Sequence, residues 1–231
     1  MATSGVTVFN PGNADLIEQS CTLAGFEART GYDFRTARFA LNMVFQEWAN
    51  MGLNFWTLAN TSVNLTPSTA NYNLPTDIVD VFDVVMRTSA GNVATQADLK
   101  MNRISMSVYS AIPNKLTTGR PIQYMVDRQI APTITYWPIP DATQTWTAVI
   151  YYIRRIQDVG TSGAYTLDTP ARFYPAMLAG LAYQMCLRKP GMEGRLPLVQ
   201  AEYARQLELA TGEDREKAPV QLVPYMPPGM M

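Results

Sequence analysis

The chain has 231 residues, 47% hydrophobic and 16% charged, with 18 Lys and Arg against 19 Asp and Glu for a net charge of −1. That length can bury one substantial core or two modest ones, and the near balance of charge lacks the basic footprint of a protein that grips nucleic acid. With no histidine, His-based triads, dyads and zinc sites are excluded together, and Cys21 and Cys186 are too few for a disulfide framework or a cysteine-only zinc site.

The first predicted element is a short helix with Asp15 as N-cap, Glu18 three residues on, an apolar side of Leu16, Ile17, Leu23 and Ala24, and Gly25 at its end. The clearest helix follows. Phe34, Ala37, Leu41, Val44, Phe45, Trp48 and Met51 recur at three- and four-residue steps, opposite a polar stripe of Arg35, Arg38, Asn42, Gln46 and Asn50. Asp33 is expected to cap its start and Gly52 to close it. From Phe55 to about Asp158 the period falls to two. Strands are predicted at Trp56–Leu65, Ile78–Arg87, around Ile122–Asp127 and at Thr133–Trp137, with a short helix expected somewhere in Asp98–Ser110. Residues Trp146 to Ile156 are apolar on both faces, which predicts a central strand.

Helical period returns near Pro170, with Thr169 as the expected cap and Phe173, Met177, Leu181 and Met185 along one side. A last helix after Pro197 places Val199, Tyr203, Leu207 and Ala210 inside. Runs of helices and runs of strands, without alternation, make this an α+β chain. The expected division is 1–54 and 159–217 as the two halves of a helical bundle, 55–158 as an inserted antiparallel β domain, and 218–231 as an extended C-terminal arm. Residues 1–10 carry no basic stretch leading into an apolar run, so no signal peptide is expected. Gly180, Tyr183 and Gln184 break the longest apolar run, so no membrane span is expected either. The sequence reads as a soluble, non-secreted protein without a cofactor, and not as an enzyme. The low charge hints at surfaces covered by neighbours.

The arm is the most informative segment. Four prolines between Pro219 and Pro228 forbid a helix or a central strand, yet Val220, Leu222, Val223, Tyr225, Met226 and Met230 are apolar residues that disordered linkers avoid. Either it docks on another subunit or protein, or it is a frayed tail. Small residues Ala171, Ala179, Ala182 and Cys186 share one side of the Pro170 helix and let another helix approach, from the same chain or a neighbour. Arg35 and Arg38, and the pair Arg154–Arg155, are suited to phosphate or a neighbour's carboxylates, or are simply solvated or salt-bridged. Asp77, Asp80 and Asp83 with Tyr136, Trp137 and Trp146 invite a carbohydrate-binding or glycan-hydrolysing reading, against turn, edge and core roles.

The run Leu41-Asn42-Met43-Val44-Phe45-Gln46-Glu47-Trp48-Ala49-Asn50-Met51-Gly52, continuing to Trp56, resembles the LN…EW…G…W signature of tailed-phage head-to-tail adaptors, the connectors or tail accessory factors of short-tailed phages. Tyr72-Asn73-Leu74-Pro75-Thr76-Asp77 resembles the family's Y-x-L-P-x-D motif. Gly119–Tyr124, Trp137–Asp141 and Tyr151–Asp158 look like its later β segments, and Asp168–Phe173 with Ala176–Ala182 looks like its return to helix. The likeness covers roughly residues 13 to 210. It implies a structural virion protein at the head–tail junction, made in the host cytoplasm. It further implies a homo-oligomeric ring, usually of twelve copies, between the portal protein and a tail nozzle or tail-tube protein. Genomic DNA would pass through the ring without sequence-specific binding, and no membrane would be involved.

On that reading Arg35, Arg38, Asn42, Gln46, Ala179 and Ala182 are the expected ring interface. Val220, Leu222, Val223, Tyr225, Met226 and Met230 are the expected portal-docking arm. The β insertion is larger than in all-helical members, so contacts of those members do not transfer to it. The rival readings are another tail or baseplate subunit, or a glycan-active protein using Asp80, Asp83, Trp137 or Trp146.

Overall fold

A computed structural model describes residues 5, 9–53 and 55–214. The chain divides into two compact units. One gathers the described residues up to Val44, then Gly160–Thr166 and the residues from Pro170 on; the other holds Phe45–Val159 with Leu167–Thr169. Helices and antiparallel sheets make it an α+β fold with helices towards both ends of the chain.

The first unit is helical. Helix α1 (Asn13–Ala24) starts from Gly12 without a side-chain cap, and Asp15 lies in its first turn. The expected Asp15 cap is therefore replaced. Asn13 N–H donates to the Tyr165 carbonyl at 3.0 Å and Ala14 N–H to that of Gly163 at 3.1 Å, so a distant segment satisfies the orphan donors. This approach needs glycines: a Cβ on Gly12 would lie 2.9 Å from the Gly163 oxygen, and one on Gly163 2.9 Å from the Ala14 Cβ. Gly25 closes α1 in the left-handed conformation, φ 102°, with the Phe26 N–H reaching back to the Cys21 carbonyl.

Helix α2 (Gly31–Met51), whose residues up to Val44 belong to this unit and the rest to the other, starts two residues before its expected cap Asp33. Thr30 and Asp33 bond reciprocally: Thr30 N–H donates to the Asp33 carboxylate, and Asp33 N–H to the Thr30 hydroxyl, each at 3.2 Å. The Thr30 hydroxyl holds the Asp33 carboxyl below its usual range. Ala37, Ala40, Leu41, Val44, Phe45 and Trp48 are buried as the period requires; Phe34 is half-buried and Met51 exposed, because the stripe fades at both ends of the helix.

A 3-10 turn at Ala171–Phe173 precedes helix α4 (Tyr174–Arg188), whose first turn takes Pro175. The 3-10 turn takes Pro170, expected as the first helical residue, at its N-cap position instead. Helix α5 (Leu196–Glu213) packs against α4, and α1 packs on α4 as well. The α4–α5 approach is close. A Cβ on Gly180 would lie 2.8 Å from the Tyr203 ring, and Tyr183 stacks on Tyr203 with ring centroids 6.2 Å apart.

Cys21 and Cys186 lie free and buried in this unit. Burial, reinforced by the Asp33 carboxylate, pushes the Cys21 thiol up to about 11, and burial raises that of Cys186. Neither thiol is therefore expected to react with an aromatic disulfide reagent at about pH 8 in the native protein. Both should titrate once the chain is unfolded. Rapid labelling of a native thiol would show that this core opens.

The second unit carries the sheets. Strands β1 (Leu58–Asn64), β10 (Trp146–Arg154), β3 (Ile78–Thr88) and β4 (Ala97–Lys100) lie in the order β1-β10-β3-β4, all antiparallel. The central place of β10 is what its two apolar faces require. Strands β2 (Asn71–Asn73), β8 (Thr133–Trp137), β7 (Gln123–Asp127) and β5 (Asn102–Arg103) form a second sheet, with β5 parallel to β7. Strands β6 (Thr118–Gly119) and β9 (Ile139–Pro140) pair in parallel. Ile78, Val84, Met86, Tyr124, Ile134, Tyr136, Trp146 and Ile150 are among the core residues drawn from both four-stranded sheets.

Three expectations shift here. Trp56 belongs to a 3-10 turn (Phe55–Thr57) and not to β1, its indole N–H donating to the Asp168 carbonyl at 3.1 Å. Strand β10 ends at Arg154, before Ile156. The 98–110 stretch holds β4 and β5 before helix α3 (Met106–Ala111), which Ser105 caps by accepting from the Val108 N–H.

Asp168 ties the end of β10. Its carboxylate takes both terminal nitrogens of Arg154 and the Gln157 N–H. Burial alone would raise its pKa, but Arg154 and the Gln157 N–H together hold it below the usual carboxylate range. A depressed carboxylate stabilises the fold above its unfolded value, about 3.9, and loses that contribution as pH falls through the folded value. Asp168→Asn is expected to cost about 2 kcal/mol near neutral pH, and less in acid once the pH has fallen through the depressed folded value. Urea unfolding at neutral and acid pH checks this; an equal loss at both would remove the ion pair as its cause.

Candidate interaction surfaces

Helix α2 carries the first candidate surface. Of the expected ring-interface residues on it, Arg35 and Gln46 are exposed, while Arg38 and Asn42 are half-buried. Arg38 donates to the Thr161 carbonyl and so serves its own unit. Gln46 lines a cleft of about 310 Å³ with Asn50, Arg128 and Arg155. The outward stripe also holds Tyr32, Phe39 and Met43, whose exposures are 76%, 62% and 43%. Sequence reasoning grouped this face by its polar members and passed over these three. Their spacing of seven and four residues, which keeps them on one helical face with Arg35 and Gln46, was the available signal.

Ala179 and Ala182 require a correction. Both are fully buried within the helical unit, where α4 meets α1 and α5, so they are core residues of their own chain and not a free ring surface. Cys186 beside them approaches the Ala24 carbonyl at 3.8 Å, and Ala171 is exposed, away from this packing. A small-residue stripe announces a close helix neighbour, and here the neighbour is intramolecular.

The β unit offers an apolar patch on the face of its first sheet. Leu58, Phe82 and Tyr151 line a shallow depression of about 290 Å³ with Asp83 and Asn60, and Phe82 is 71% exposed. The residues of the glycan-active reading are each engaged locally. Asp80 pairs with Arg103 at 2.8 Å and Arg128 at 3.6 Å, and Asp83 with Lys100 at 3.3 Å. The Trp146 indole is buried and donates to the Asp141 carboxylate at 2.9 Å; this bond, more than any other contact, holds that carboxyl below its usual range. Trp137 donates to the Asn114 carbonyl at 3.2 Å. These are scaffold contacts, with each charge answered by its neighbour. Arg154 is likewise answered, by Asp168. Among the described residues no group of acidic or sulfur side chains is placed to hold a metal ion, and no helix is long and apolar enough to cross a membrane.

A third feature is a groove of about 850 Å³ in the helical unit, between α1, α4 and α5. The expected docking-arm residues Val220, Leu222, Val223, Tyr225, Met226 and Met230 lie outside the described residues.

The order of motifs along the chain, an α+β fold with helices towards both ends, and exposed apolar stripes suited to protein contacts all point the same way. Residues 14–223 match the SU10 adaptor protein family. The chain belongs to that family. The resemblance to phage head-to-tail adaptors that its motifs carry is thereby shown, and this SU10 adaptor family member is a phage structural protein. A search of curated proteins finds no match to it.

Proposed function

We propose that this SU10 adaptor family protein is a non-catalytic virion component that closes into a ring, usually of twelve copies, between portal and tail. The ring leaves a channel through which genomic DNA is retained and later ejected. The observation that carries this reading is family membership over residues 14–223. It is supported by the outward stripe of α2, where Tyr32, Phe39 and Met43 lie beside Arg35 and Gln46. Exposed aromatic and sulfur side chains flanked by polar groups are what a subunit contact uses. Residues 32–46 of α2 form the ring contact, residues 218–231 latch the ring to the portal, and the Phe82 patch is available to the tail side.

The function is geometric and multivalent. Identical weak contacts repeated around an axis raise each other's effective concentration, so the joint is far tighter than any single arm. A near-neutral chain suits a DNA conduit, because a basic wall would hold phosphates through counterion release.

Native mass spectrometry of the protein mixed with purified portal tests this directly. A complex with a ring of adaptor copies per portal is the expected result, and a lone adaptor chain with no portal-bound species overturns it. Phe39→Glu is expected to fold normally, since Phe39 faces outward, yet to give no ring on the portal. Rings formed as readily by that variant would remove α2 from the subunit contact.

A further inference from the structure

The groove of about 850 Å³ between α1, α4 and α5 has a built shape and no role in the reading above. Leu16 and Leu23 of α1 and Leu178 of α4 supply its apolar lining. One end is fixed by Tyr174, whose hydroxyl donates to Asn10 at 3.0 Å and whose ring meets Phe9 edge-on at 6.2 Å. Asp15 and Glu18, both exposed, put negative charge on its α1 rim.

We propose that in the free chain this groove is occupied by the chain's own residues 218–231, laid in as an extended segment. The chemistry matches. Residues 218–231 carry no charged side chain, hold four prolines in the ten residues from Pro219 to Pro228, and offer Val220, Leu222, Val223 and Tyr225 as anchors. Proline-rich extended segments lose little entropy on docking and bind through apolar grooves with an aromatic wall, the place Tyr174 fills here.

The reach matches as well. Gln206 of α5 lines the groove, and the helix runs on to Glu213, about 10 Å further along its axis. Asp214 is held by Arg172, two residues before Tyr174, so the chain leaves α5 close to the α4 wall of the groove. Residues 215–217 can span up to about 10 Å, a reach sufficient for Ala218 to meet the groove's edge. That connection, Arg215-Glu216-Lys217, carries a net charge of +1, opposite in sign to the Asp15 and Glu18 rim. Tethering by so short a connection gives an effective concentration in the millimolar range, which favours the chain's own segment over a second copy's in dilute protein.

The test uses the full chain with a photo-cross-linking benzoylphenylalanine in place of Tyr225, irradiated at low micromolar concentration without portal or heads. Products of monomer mass, joined to the groove-lining residues of α1 or α4, are expected. Cross-links elsewhere in the chain, products of dimer mass, or no cross-link would each overturn the proposal. Leu178→Arg in the groove should cut the yield about tenfold. Leu222→Asp, at a position outside the described residues, should do the same and decides the matter if Leu178→Arg fails to fold. An unchanged yield in Leu222→Asp also overturns the proposal. Because portal is absent, failure here leaves the ring reading untouched, and loss of the ring on portal leaves this result standing.

Discussion

Removal of residues 218–231 is expected to leave both folded units intact by circular dichroism and to abolish attachment of the protein to portal-bearing heads. The core residues known among the described residues all lie at or before Asp214, and the truncation removes none of these. What it removes is an uncharged, proline-punctuated segment repeated once per copy. When several such arms engage one object, avidity exceeds the affinity of one arm by roughly 10²–10⁴, and losing all arms together forfeits that whole factor. Sedimentation of heads with full-length or truncated protein reads the outcome. Truncated protein that still travels with the heads would show that the latch lies elsewhere.

Trp48→Ala is expected to be the most damaging single substitution in α2. The indole has no exposed surface and its ring centroid lies 5.9 Å from that of Phe45, one turn away. Truncation to a methyl leaves a large cavity, and such losses run to about 3–5 kcal/mol. Against a total stability of about 5–15 kcal/mol, that is enough to unfold a marginal domain near physiological temperature. The urea midpoint of the unit holding Trp48 should fall with its slope unchanged. A shift no larger than a surface substitution gives would mean that Trp48 is not packed as the helical period and the structure both place it.

Much of the fold could be read from the residues because period and burial speak directly. Ala37, Leu41, Val44 and Trp48 face inward at helical spacing, and the double-sided apolar run of β10 marks a strand flanked on both edges. Where partners distant in sequence decide, the residues are silent. Asp15 looks like a cap by every local rule, yet the helix starts two residues earlier, at Asn13, and backbone carbonyls at Tyr165 and Gly163 take its first two donors. The two-residue strands β5 and β6 pair in parallel across loops and leave no periodic trace.

The interaction surfaces were legible in part for the same reason. Composition tells that Ala179 and Ala182 invite a close neighbour, and only the packing of α4 against α1 and α5 tells that the neighbour is the chain itself. Phe39 and Met43 hide among polar residues because a helical face is identified by its majority. Their exposure emerges once the inward face is fixed by Leu41 and Trp48. Family membership, by contrast, rests on order and spacing along the whole chain, which the motifs from Leu41 to Ala182 already display.

Cryo-electron microscopy of the intact particle bears most directly on the central claim. The account predicts a closed ring of identical copies of this chain, coaxial with the portal, in which α2 faces the adjacent copy. A chain found as an isolated subunit off that axis, with Tyr32, Phe39 and Met43 facing solvent, would contradict it.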